Sequence, residues 1–195
     1  MTTAVFLGSS ITAAGFPTAA GARLGWSVVN QGESGTGYVR PATAGKFRDR
    51  IPLVVSASPD AVVVEGGVND VPQEGVSLAD LTAELPLFFS ALASALPGIP
   101  VYVTAPSRQG RIWTDIEAAA GAIATAASQF GHSYIDWLSP FWITGTGNAG
   151  SPTGDGNADV YVSADGIHPT AAGSAYLGTR LAFAISPPAT RLPGR

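Results

Sequence analysis

Three side chains able to act together stand at opposite ends of the chain: Ser10, Asp165 and His168. Val5-Phe-Leu-Gly-Ser-Ser-Ile-Thr12 runs from an apolar stretch into a turn of small residues, which puts Ser10 just past the carboxyl end of a predicted strand. A serine hydroxyl is a weak nucleophile at neutral pH and needs a base within hydrogen-bond reach, itself held by an orienting group. The chain has two histidines. His168 stands in the non-periodic Ser163-Ala-Asp-Gly-Ile-His-Pro-Thr170 just before a predicted helix, and a turn at Gly166 would bring the Asp165 carboxylate round to its ring. His132 opens a predicted strand and reads as a structural or surface residue. The simpler alternative for Ser9 and Ser10 is that they cap the helix that follows them.

Nucleophilic attack on a carbonyl also requires rigid donors for the developing oxyanion. Two loops offer them. In Asn30-Gln-Gly-Glu-Ser-Gly35, Gly32 permits a close backbone approach, and in Gly66-Gly-Val-Asn-Asp70, Asn69 carries a side-chain amide. Either loop taken alone also reads as an ordinary turn. Glu33 and Glu65 are candidate substrate contacts, able to raise the pKa of a nearby histidine or to bind a sugar hydroxyl; solvated loop charges are the alternative. Tyr38, Trp113, Trp137, Phe141 and Trp142 fall in or near strand-end loops, where rings stack on sugars or line an acyl pocket, and core packing explains some of them equally well. Of these, Tyr38 and Trp142 are taken with Glu33 and Glu65 as substrate-binding candidates. Asp155-Gly-Asn-Ala-Asp159 has the alternating oxygen spacing of a calcium loop without its glycine and distal glutamate, so a polar surface loop and no metal is expected.

The elements that must position these residues alternate. Short apolar runs at 4–7, 27–30, 61–65, 101–104 and 133–136 predict five strands covered on both faces, as in a parallel sheet. Helical stretches fall at 17–24, 44–56, 77–96, 111–130 and 169–185; Ser77-Leu-Ala-Asp80 resembles a capping box, and Pro86 is expected to bend its helix. Strand and helix in turn predict an α/β fold, a three-layer α/β/α sandwich over a five-stranded parallel sheet, with ligands beyond the strands' carboxyl ends. The Gly-rich stretch 139–164 is too long for an ordinary connection and is a candidate substrate loop.

The bulk properties agree. With 195 residues, 46% hydrophobic and 12% charged, the chain predicts a single domain over 1–195 with one core. A net charge of −4 without a basic run argues against a nucleic-acid partner. The absence of cysteine removes disulfides and thiolate chemistry and leaves the compartment open, cytoplasmic or secreted with a leader removed. No apolar run approaches the roughly 20 residues that a membrane helix needs, so no membrane span is expected.

Taken together, Gly8-Ser9-Ser10-Ile11-Thr12, Gly32, Gly67-Val68-Asn69-Asp70 and Asp165-Gly166-Ile167-His168-Pro169 resemble, in order, the blocks of the SGNH (GDSL-type) hydrolases. The resemblance implies a flavodoxin-like sandwich, acyl transfer to water through an acyl-serine, and no cofactor. It makes Ser10 the nucleophile, His168 the base and Asp165 its orienting acid, with the Ser10 N–H, Gly32 and Asn69 as oxyanion donors. Ser9 stands where the commoner form has aspartate. The expected substrate is a small-molecule or carbohydrate ester of a small acyl group, an acetylated carbohydrate ahead of a short-chain lipid or aryl ester. Thioester cleavage or acyl transfer would use the same residues, and a binding module that has lost catalysis is the alternative from another class. Oligomeric state is not specified.

Overall fold

In the computed structural model, which describes residues 1–186, five strands form one parallel sheet in the order β2-β1-β3-β4-β5. They are β1 (Thr3–Gly8), β2 (Ser27–Gly32), β3 (Ala61–Glu65), β4 (Val101–Thr104) and β5 (Ser133–Ile135). The central strands β1 and β3 are buried almost throughout, which is why their sequences are continuous apolar runs. β2, at one edge, is only partly covered. Strand order reverses between β1 and β3, so the loops leaving these two neighbours open a crevice at the sheet's carboxyl end, the usual place for a ligand in such folds.

Helices cover both faces. α2 (Phe16–Leu24) packs against α7 (Ala171–Ile185), while α4 (Leu78–Ala95) packs against α3 (Ile51–Ser56) and α5 (Trp113–Gln129). The expected α/β/α sandwich with a five-stranded parallel sheet is therefore found. Ser77 caps α4 through the Asp80 N–H, and Asp80 reaches back to Ser77. α4 continues through Pro86, which sits on its exposed side. By length and composition α4 is apolar enough to cross a membrane, contrary to the expectation that no run would be. Leu81, Leu85, Phe88, Phe89 and Leu92 spend that apolarity on the core.

Three differences from the expected elements bear on the site. Residues 44–56 form a 3-10 turn (Phe47–Arg50) and then the short α3, because Gly45 takes φ +90° and Lys46 is extended. Ser10–Ala13 form a one-turn helix, α1, too short for periodicity to reveal. The stretch 139–164 contains a second such turn, α6 (Ala158–Tyr161), and closes on itself through short bridges such as Asn148 with Ser151.

Candidate active site

Ser10 is the first residue of α1, where β1 stops and the chain turns. Ser9 is the cap, its Oγ accepting the Ile11 N–H at 3.2 Å. The capping alternative thus holds for one serine of the pair and leaves the other hydroxyl free for another partner. Ser10 Oγ lies 2.8 Å from His168 Nε2.

The turn before α7 holds the other two groups. Gly166, at φ +73°, donates its N–H to Ser163 O at 2.9 Å and folds Asp165 back on His168. Asp165 Oδ2 is 2.7 Å from His168 Nδ1, and Oδ1 accepts from Ser163 Oγ (2.7 Å), Ile167 N (2.8 Å) and His168 N (3.0 Å). The bond from the His168 ring, with the help of the other donors, holds the Asp165 carboxyl well below the usual carboxylate range. Both side chains are open to solvent, so a substrate reaches them without any opening.

Beneath this row the carboxylate of Glu65 is 1% exposed. Its Oε2 accepts from Ser9 Oγ (2.8 Å), Ser9 N (3.2 Å) and Thr12 Oγ1 (2.9 Å). Burial pushes its pKa up while these donors pull it down. Glu65 is therefore not a substrate contact: it ends an apolar strand and clamps α1 from below. The clamp accounts for Ser9, since a hydroxyl there gives Glu65 a donor where an aspartate would add a second carboxylate. We expect Ser9→Asp to lower stability in urea unfolding by roughly 3 kcal/mol, the scale of an uncompensated buried charge, and Ser9→Asp with Glu65→Gln to recover most of it. A Ser9→Asp protein as stable as wild type, or a double variant no better than the single, would remove this role.

The oxyanion loops need a correction at Gly32. Its N–H is already donated to Asn30 Oδ1 at 2.9 Å, and a Cβ there would lie 2.2 Å from Ala13 N. Gly32 is glycine so that β2 can pass against the backbone of α1. Gly35 was missed. It takes φ +77°, its would-be Cβ meets nothing within 4 Å, and its N–H bonds to no other described residue. The signal was present as the second glycine of Gly32-Glu-Ser-Gly35. Asn69 Nδ2 donates to Thr36 O at 2.9 Å, which sets the amide beside Gly35's neighbour and leaves its second hydrogen unused. Asp70, buried, accepts the N–H groups of Tyr38 (2.8 Å), Val39 (3.0 Å) and Arg40 (3.0 Å), so Asn69 and Asp70 together tie the β3 loop to the β2 loop. Sequence reasoning had given Asp70 no role.

Two further substrate candidates belong elsewhere. Tyr38 is fully buried, with its ring 5.0 Å from Phe47 and 5.4 Å from Phe88, and is part of the core. Glu33 accepts the Ala44 N–H at 3.0 Å and lies 3.8 Å from Arg50, holding its own loop to the 3-10 turn. His132 packs against Phe89 and Phe130, and burial lowers its pKa. The carboxylates of Asp155 and Asp159 are taken by Thr146, Thr153 and Gly154. Among the described residues no cluster of three metal-ligating side chains occurs.

Trp142 does face a cavity. A slot of about 20 Å³ beside α1 is lined by Ile11, Ser107, Trp137, Phe141, Trp142 and Leu177. A second, of about 10 Å³, shares Ile11 and Leu177 and reaches Ile167 and Pro169 on either side of His168.

Among solved structures, the chain resembles a lipase/acylhydrolase from Enterococcus faecalis, with 20% identity over 95% of both chains and a TM-score of 0.70. It also resembles the inhibitor-bound aryl esterase of M. smegmatis, with 15% identity over 95% of this chain and 98% of that one and a TM-score of 0.67. A carbohydrate acetylesterase from Sinorhizobium meliloti gives 14% identity, the same coverages and a TM-score of 0.67. At these identities the likeness is one of fold. No curated protein matches the chain. The GDSL-like Lipase/Acylhydrolase family matches residues 6–176, nearly the whole described chain, and this protein belongs to that family of hydrolases.

Proposed function

We propose that the protein is a serine esterase that cleaves carboxylic esters of small acyl groups through an acyl-Ser10 intermediate. The observation that carries this reading is the unbroken row from Ser10 Oγ through the His168 ring to Asp165, with contacts of 2.8 and 2.7 Å. His168 Nε2 takes the Ser10 proton as Oγ attacks the ester carbon, and Asp165 holds the ring with its Nδ1 proton inward and stabilises the imidazolium. The carbonyl oxygen gains charge and is met by the Ser10 N–H at the start of α1, the Gly35 N–H and the unused Asn69 Nδ2 hydrogen. His168 then returns the proton to the leaving alkoxide, and water repeats the sequence on the acyl-serine. The chemistry calls for no cofactor.

The slot beside Ile11 supports a small acyl group. A volume of about 20 Å³ has room for about one water-sized group, the size of an acetyl methyl. Trp137 and Trp142, ring centroids 5.8 Å apart, wall it in. Lengthening the acyl chain forces overpacking, and from p-nitrophenyl acetate to the octanoate kcat/KM should fall by about 10- to 100-fold. A kcat/KM that is level or rises along the acetyl, butyryl, octanoyl series would exclude the small-acyl reading. The likeness to a carbohydrate acetylesterase supports an acetylated sugar as the alcohol part. The intact hydrogen-bonded row favours an enzyme over a binding module.

A further inference from the structure

A groove of about 580 Å³ runs along α5 outside the slot. Its floor is Ala120, Gly121 and Ala124, which fall with Trp113 and Glu117 on one face of the helix. The opposite wall comes from the segment after β5, with Asp136, Ser139 and Phe141. Trp113 and Phe141, each more than a third exposed, stand edge to face at 5.2 Å at its head. Arg108 lies over the Phe141 ring at 4.5 Å and fixes it.

The groove adjoins two cavities that flank the reaction centre. Leu138 and Phe141 line both it and the slot beside Ile11. Trp113 lines both it and a polar recess of about 190 Å³ that reaches Gly166, in the turn that carries Asp165 and His168. With the acyl group in the slot, the alcohol part of an ester at Ser10 is led through the polar recess by Gly166 toward Trp113.

We infer that this groove is a subsite for the sugar chain of an acetylated, uncharged oligosaccharide, an inference that rests on the esterase reading. The exposed Trp113 ring, buttressed by Phe141, meets the C–H face of a pyranose ring, which is apolar and flat. Glu117 bonds to no other described residue, and Asp136 uses only Oδ1, on the Leu138 and Ser139 N–H groups. Both are exposed and, as carboxylates, only accept hydrogen bonds. Sugar hydroxyls supply donors, whereas a long acyl chain has none. An anionic glycan would bring like charge to the two carboxylates. The small-residue floor leaves room for a ring that a larger side chain would fill.

The test is the ratio of kcat/KM for partly acetylated xylo- or mannohexaose to that for p-nitrophenyl acetate. Trp113→Ala removes a stacking ring and should lower the ratio about tenfold. Gly121→Gln fills the floor and should lower it as well. A Cβ at Gly121 meets nothing within 4 Å, and glutamine is the better helix former, so this variant unfolds at no lower temperature than wild type and a fold defect does not explain its loss. Acetylated hexagalacturonate should be the poorer substrate of wild type. An unchanged ratio in both variants, with p-nitrophenyl acetate still turned over, overturns the subsite and leaves the esterase standing. A loss confined to octanoyl esters gives the groove to an acyl chain and likewise overturns it. If wild type turns over no ester, the esterase reading fails; fluorescence titration of wild type and Trp113→Ala with unacetylated hexasaccharide then decides the groove alone, equal affinities overturning it.

Discussion

Ser10→Ala should lower kcat for p-nitrophenyl acetate by about 10⁴- to 10⁶-fold, because residues of a serine triad act as a unit and what survives is the contribution of binding and the oxyanion donors. The loss should be purely chemical. Ser10 Oγ bonds only His168, while the side chains that hold α1 in place are those of Ser9, Thr12 and Glu65. Alanine is also a good helix residue, so the unfolding midpoint should stay within a degree or two of wild type. Labelling by a fluorophosphonate should vanish with the hydroxyl. Ser9→Ala makes the contrast: it removes the cap and one donor to Glu65, and should show first as lost stability, about 1 kcal/mol for the cap. A Ser10→Ala protein that keeps wild-type kcat would show that the ester is cleaved elsewhere.

The difference between these adjacent serines shows what the sequence makes legible. The strands were readable because a doubly covered strand must be nearly continuous in apolar residues, as Ala61-Val-Val-Val64 is. Their alternation with helices led to the sandwich. Ser10, Asp165 and His168 were candidates because few residue types perform nucleophilic catalysis and the chain has two histidines. What sequence leaves hidden is which of two similar residues faces the cleft. Gly32 and Gly35 both permit close approach, but one is required by the backbone of α1 and the other by a left-handed φ, and neither requirement is written locally. Tyr38 looked like a loop aromatic because its partners Phe47, Phe88 and Phe89 arrive from distant segments. Glu65 ends a run of valines, which signalled burial; its donors, Ser9 and Thr12, lie more than fifty residues away.

Asp165→Asn tests the row from its far end, and the hydrogen-bond pattern makes it more than a removal of charge. In the native turn Oδ1 accepts three donors, from Ser163 Oγ, Ile167 N and His168 N. Two of these are backbone N–H groups that cannot reverse. The asparagine carbonyl must take that position, which turns the amide NH₂ toward His168 Nδ1. Nδ1 then has to accept, so the ring proton moves to Nε2, the atom that faces Ser10 Oγ. A protonated Nε2 donates to the serine and cannot take its proton. The expected loss of kcat is about 10⁴-fold, the size known for an amide in place of a triad aspartate. Although isosteric, asparagine should be at least as damaging as alanine, which leaves the ring free to choose either tautomer. ¹⁵N spectra of labelled His168 should report the proton on Nδ1 in the wild type and on Nε2 in Asp165→Asn. Because Asp165 is held ionised far below the usual carboxylate range, raising the pH from 5 to 9 should not change its charge, and the defect should persist throughout. An asparagine variant that keeps more than a tenth of wild-type kcat, with the proton still on Nδ1, would take the orienting role away from Asp165.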